Sequence, residues 1–212
     1  MQLLRRIGRE LLAHAPFTAL GTVAGIIVMV IIHFVNTPQN VSEAVFYTLH
    51  PLHVVLSALV TTALYRRHKG KSNLWMSIIV GYTGSIGVAT ISDAVIPYLG
   101  GAALSVEWHF ELPFIATEAM PFIGIPKWII VNAAAVIGIA VAIGYAKVST
   151  RFPHMGHVLL STWASLFGFT AFGITENWMP VLPLVFVFLF LAVWLPCCFS
   201  DIVYPLLWVR EK

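Results

Sequence analysis

The sequence predicts an all-α, polytopic membrane protein: six transmembrane helices arranged as two three-helix repeats of inverted topology. Three observations predict it. Of 212 residues, 59% are hydrophobic and 10% charged, whereas soluble domains carry about 25% charged residues. The apolar residues fall into six runs, roughly 14–35, 43–65, 73–98, 126–146, 154–175 and 180–208. Two polar motifs recur in the same order in the two halves of the chain.

Each run meets the ~20 residues needed to cross about 30 Å of hydrocarbon. The first follows MQLLRRIGRELL, where basic residues precede an apolar stretch as they do in a signal peptide. The run from Ala15 to Val35 is too long for a signal-peptide core and lacks a small-x-small cleavage site, so it reads as a retained first span. The sixth run holds Pro196 and Pro205, which predict a tilt or a break. The chain reads as one transmembrane domain, 1–212, with repeat 1 at about 10–100, an outer loop at about 100–125 and repeat 2 at about 126–212.

Basic residues orient the spans. With the N-terminus inside, Arg5, Arg6, Arg9, Arg66, Arg67, Lys69, Lys71, Lys147, Arg151, Arg210 and Lys212 are all inside, and Lys127 alone is outside. Both termini are therefore expected to be cytoplasmic, in a plasma or inner membrane. The formal charge of +3 is a topology signal and does not argue for nucleic-acid binding. Glu43, Glu107, Glu111, Glu118 and Glu176 fall outside. Such a face would concentrate cations, although acidic loops also translocate readily.

The motifs carry the chemistry. HPLHVVLS (50–57) and HMGHVLLS (154–161) both read H-x-x-H-V-x-L-S. SDAVIPYL (92–99) and SDIVYPLL (200–207) both read S-D-x-V-x-P-x-L. Ser57 precedes Ser92 by 35 residues and Ser161 precedes Ser200 by 39. The chain therefore reads as a duplication. An odd number of crossings per copy inverts the second copy, as in many secondary transporters.

His50 and His53 share a helix face, with Ser57 on that face one turn further on. His154, His157 and Ser161 repeat the arrangement. Inverted symmetry puts His50, His53 and Asp93 toward the outside, and His154, His157 and Asp201 toward the inside. Whether they form two sites or approach a common one is open in the sequence. Two imidazoles and a carboxylate suit zinc, iron or manganese, and the carboxylate offsets part of the cost of burying a dication. Ser57 and Ser161 are candidate weak ligands or partners that orient a histidine. Ionisable groups inside a membrane mark functional sites by default.

Pro51 sits between the first pair of histidines, Pro153 precedes His154, and Pro97 and Pro205 follow the aspartates by four residues. They either free carbonyls beside each cluster or mark helix ends. Cys197 and Cys198 are adjacent, which disfavours pairing with each other. They read as small polarizable packing residues, with a soft-metal role as the alternative.

The outer stretch EWHFELPFIATEAMPF (107–122) breaks the symmetry. Glu107, His109 and Glu118 are secondary site candidates that could cap the outer cluster or capture cations. The same stretch also fits an interfacial hairpin with Trp108 and Phe110 at headgroup level. His14 and His33 have no partner in the fourth span, and His68 sits in a basic turn. The small residues of 81–90 and 132–146 indicate close helix packing.

The histidine, aspartate and serine inventory resembles that of the intramembrane zinc hydrolases of the ceramidase and adiponectin-receptor group. The resemblance is one of residue types only. Order and spacing differ, those proteins have seven spans, and no residue is carried over.

The motifs thus point to a transporter of a divalent transition-metal cation working by alternating access, with the bilayer and the metal as partners and a homo-oligomer left open. An intramembrane metal-dependent enzyme of hydrolase type is the alternative, with Glu107, Glu118 or a serine assisting metal-bound water. A non-catalytic membrane subunit tied together by a His/Asp/Ser network is a third. Bis-histidine haem ligation fits poorly, because inversion places the pairs at different depths.

Overall fold

The structure is a computed structural model that describes residues 2–69, 73–103, 107–120, 123–145, 151–174, 180 and 182–209. Lys71, Lys147, Glu176, Arg210 and Lys212 of the charge pattern lie outside the described residues. So do the side chains of Arg5, Arg6, Arg9, His14, Glu107, Arg151, Pro153 and Cys198.

Helix α1 spans Gln2–Phe34, α2 Gln39–Lys69, α3 Leu74–Thr90 and α4 Ile96–Ala103. A π-helical segment, Ile91–Val95, joins α3 to α4. Then come α5, Lys127–Gly144; α6, Arg151–Phe172; α7, Leu182–Cys198; and α8, Tyr204–Leu207. A second π-helical segment, Phe199–Val203, joins α7 to α8. Six of the resulting stretches are long and apolar enough to cross a membrane: Ala15–Phe34, Gln39–Lys69, Leu74–Ala103, Lys127–Gly144, His154–Phe172 and Leu182–Leu207. This is the architecture of an integral membrane protein. One small departure from all-α structure is a two-residue strand, β1 (Glu107–Trp108), paired antiparallel with β2 (Gly173–Ile174).

The π-helical segments follow from the prolines. Pro97 and Pro205 stand four residues after Asp93 and Asp201, so each aspartate carbonyl loses its α-helical donor and is crowded by a ring. The backbone widens in response: the Ile96 N–H bonds back five residues, to the Ile91 carbonyl. Such wide turns recur at functional sites.

Burial runs opposite to hydropathy. The α2 and α6 spans are among the least apolar of the six, yet they are the most buried. They pack on each other at the centre of the bundle. Around them, α5 packs on α2 and α3, and α1 packs on α6 and α7. The apolar stripe Leu20, Val23, Ile27, Ile31 and Phe34 of α1 is exposed, as a lipid-facing surface requires.

Small residues bring the helices close, as the sequence predicts for 81–90 and 132–146. A Cβ on Gly138 would lie 2.3 Å from the Val55 carbonyl oxygen, which locks α5 against α2. A Cβ on Gly84 would meet Thr61 at 2.8 Å and Tyr204 at 3.0 Å.

Candidate metal and proton centre

The two motif pairs converge on a single buried structure. His50 and His53 lie on consecutive turns of α2 and both direct Nδ1 at Asp93 Oδ2, at 2.8 and 2.7 Å. His154 and His157 do the same from α6 toward Asp201 Oδ2, each at 2.6 Å. The halves meet where His53 Nε2 and His157 Nε2 approach to 2.6 Å, with their rings stacked at 4.5 Å between centroids. The result is one continuous chain: His50, Asp93, His53, His157, Asp201, His154. All six residues are buried. Of the alternatives open in the sequence, separate clusters or a common centre, the structure has the joined arrangement.

The hydroxyl groups cross between the halves. Asp93 Oδ1 accepts from Ser92 at 2.7 Å, and from Ser161 and Ser165 of α6 at 3.0 and 3.2 Å. In the opposite sense, Thr61 of α2 donates to Asp201 Oδ1 at 3.5 Å, and Ser57 lies 3.3 Å from Ser200. Ser57 and Ser161 therefore address the other half's S-D motif, whereas the sequence placed each beside its own histidines. Thr61 and Ser165 are site residues that the motif reading missed. They stand four residues after Ser57 and Ser161, so a hydroxyl one turn further on extends both copies of H-x-x-H-V-x-L-S.

The donors and acceptors of this centre are unequal in number. An ionised carboxylate only accepts, so each imidazole donates its Nδ1–H to aspartate. A neutral imidazole has one N–H. His53 and His157 then face each other with two bare Nε2 lone pairs at 2.6 Å, which repel unless a positive charge lies between them. With neutral imidazoles the two aspartates also leave the buried chain with two negative charges. Both features call for a cation.

Three groups could hold a metal ion: His50, His53 and Asp93; His154, His157 and Asp201; and His53, His157 and Cys197. The first two are the clusters read from the sequence. The third joins one histidine of each cluster to Cys197, whose soft-metal role the sequence offers only as the alternative to packing. In each group the ligand atoms lie within 4.8 Å of one another. Carboxylates behind the imidazoles are the usual means of orienting metal-binding histidines and raising their basicity.

The secondary candidates lie elsewhere. His109 is exposed, and its backbone N–H donates to the Phe172 carbonyl. Glu118 is exposed and stands 3.8 Å from Lys127. The Glu107 side chain lies outside the described part. Glu111, from the same stretch, is engaged by an ion pair and does not cap the histidines. It accepts from Lys127 at 2.9 Å and from the Tyr47 hydroxyl at 2.6 Å. Glu43 pairs with Lys127 at 2.9 Å, and the lysine ammonium lies 4.6 Å from the centre of the Tyr47 ring. Below this ion cluster, Tyr47 and Phe172 pack edge-on against Phe46, which stacks on His50 at 5.2 Å. An aromatic layer thus separates the Glu43–Lys127–Glu111 cluster from the histidine chain.

No protein-family model, curated protein or solved structure matches this chain. The class that fold and site define together is a six-helix membrane protein with buried histidine and aspartate groups able to bind a metal ion.

Proposed function

We propose that the protein carries a divalent transition-metal cation across the membrane, with zinc, iron or manganese as cargo. On this reading the two halves are three-helix units inserted in opposite directions, and both termini face the cytoplasm of a plasma or inner membrane. The observation that carries the reading is the pair of facing Nε2 atoms, 2.6 Å apart, each on an imidazole backed by a carboxylate. Together they form a negative, desolvated centre for a cation. Two imidazole nitrogens on one tetrahedral zinc stand about 3.3 Å apart at bond lengths of ~2.0–2.1 Å. Binding would therefore spread His53 and His157 by about 0.7 Å and press outward on both halves.

The packing supports two equivalent halves. Exchanging α1, α2 and α3 for α5, α6 and α7 maps each described contact set onto another: α1 with α6 onto α5 with α2, and α1 with α7 onto α5 with α3. The π-helical segments exchange in the same way. Alternating access would be the exchange of conformations between the halves. Lys127 and its carboxylates, with the aromatic layer, would close one side of the centre.

The test is metal content per chain in purified protein, repeated with Asp93→Ala and Asp201→Ala, followed by metal flux into proteoliposomes. A joined centre predicts one metal that either substitution releases, and flux that both abolish. Retention of a full complement by both variants would sink the reading.

A second reading has its own observation. The chain from His50 to His154 is unbroken, and an imidazole that receives a proton at Nδ1 can pass another from Nε2. Such a chain could relay protons between the two sides. Metal-free protein in vesicles under a pH gradient would then conduct protons, and His53→Gln would stop it.

A further inference from the structure

We propose that Cys197 is the third ligand of the cation centre, which makes it a two-imidazole, one-thiolate site selective for thiophilic ions (zinc, cobalt, cadmium or cuprous copper) over manganese or magnesium. The proposal rests on the reading of His53 and His157 as a cation centre and narrows its cargo.

The sulfur is in reach of both imidazoles. Cys197 Sγ and one nitrogen each of His53 and His157 lie within 4.8 Å of one another, and all three side chains are buried. Cys197 stands four residues before Asp201, so about one helical turn sets it on the face that carries the aspartate inward. The thiol donates to Ser161 Oγ at 3.4 Å, and Ser161 donates onward to Asp93 Oδ1 at 3.0 Å. One hydroxyl thus holds both the sulfur and the carboxylate behind His53. The carboxylate oxygens nearest the imidazoles, Asp93 Oδ2 and Asp201 Oδ2, are each already taken by two imidazole Nδ1–H groups.

The equivalent position in the other half is Ala89, four residues before Asp93 and also buried. The centre therefore receives one sulfur rather than two. Thiolate favours soft ions, and two imidazoles are neutral in this choice among zinc, copper and iron. Three protein ligands leave a fourth position open, and an ion that must be released is better held by three ligands than four. Packing of Cys197 against Val158 and Val193 accounts for its burial. It does not account for a sulfur placed beside two converging nitrogens.

The experiment loads the full-length protein in detergent with Co2+ and reads the near-ultraviolet thiolate-to-cobalt charge-transfer band. The wild type and Cys198→Ser are expected to show the band. Cys197→Ser is expected to lose it while still binding cobalt, about tenfold or more weakly. Competition should show its preference for Cd2+ over Mn2+ falling by a similar factor. Cys197→Ala serves as a second variant if the serine variant does not fold, and the wild-type band needs neither. Stoichiometric cobalt binding without the band, or a band that persists in Cys197→Ser, overturns the thiolate ligand and leaves the histidine centre standing. Folded wild type that binds neither Co2+ nor Zn2+ overturns both.

Discussion

Asp93 and Asp201 do two jobs with one side chain each. Oδ2 takes the Nδ1–H of two histidines and so turns each Nε2 outward from the carboxylate, while Oδ1 collects hydroxyl donors from the opposite half. Replacement by asparagine keeps the shape and removes the charge, so Asp93→Asn is expected to fold and to lose metal affinity by at least 10–100-fold, as outer-shell substitutions do. Isothermal titration with Zn2+ checks this. The hydroxyls make a sharper comparison. Ser161→Ala combined with Ser165→Ala strips two of the three donors from Asp93 Oδ1. Ser57→Ala removes only a long contact to Ser200. The double variant should lose ~10-fold or more in affinity, and the single variant clearly less. Equal losses would show that the cross-half hydroxyls do not tune the carboxylates.

At the scale of elements, the centre depends on how closely α5 and α3 approach α2. Gly138 has no room for a methyl group because the obstacle is the Val55 carbonyl, backbone that side-chain rotation cannot clear. Gly138→Ala should destabilise the protein by about 2–3 kcal/mol, the upper part of the range for overpacking. Gly87→Ala, at a position with nothing within 4 Å, should be neutral or mildly stabilising. Thermal unfolding in detergent distinguishes the two. The π-helical segments allow a different substitution. Pro97→Ala restores the missing donor and invites a regular α-helix. That would rotate Asp93 off His50 and His53, so metal affinity should fall although the helix itself gains. Unchanged affinity in Pro97→Ala would detach the wide turn from the site.

At the scale of the molecule, Lys127 ties the start of α5 to the start of α2 through Glu43, and to the 107–120 loop through Glu111. Removing the ammonium deprives Glu43 and Glu111 of the cation they share, each at 2.9 Å, the first a quarter exposed and the second less. Lys127→Met should cost on the order of 2–3 kcal/mol, below the 3–5 kcal/mol of a fully buried pair because of that exposure. Adding Glu43→Gln and Glu111→Gln should recover much of the loss, since the cost is that of unpaired charge. Hydrogen exchange of the 107–120 backbone would report the same break. A triple variant as unstable as the single one would mean that packing, not charge, sets the effect.

The spans were legible because a bilayer's thickness leaves a length and composition signature that needs no tertiary information. The candidate histidines and aspartates were legible because they recur in order within apolar helices, where a lone polar group is costly. Thr61 and Ser165 were legible in principle, one turn past each motif. Cys197 was legible only as an alternative, since a cysteine in an apolar run reads first as a small packing residue and its approach to His53 and His157 comes from tertiary structure. The meeting of His53 with His157, the crossing of Ser161 to Asp93, and the grouping of Lys127 with Glu43 and Glu111 belong to tertiary structure alone. The sequence by itself determined six membrane-length helices and that each histidine pair shares a helix face, because those follow from local composition and periodicity. Only the tertiary structure decided that two clusters are one chain, because the depth and rotation at which α2 meets α6 come from packing between segments roughly a hundred residues apart.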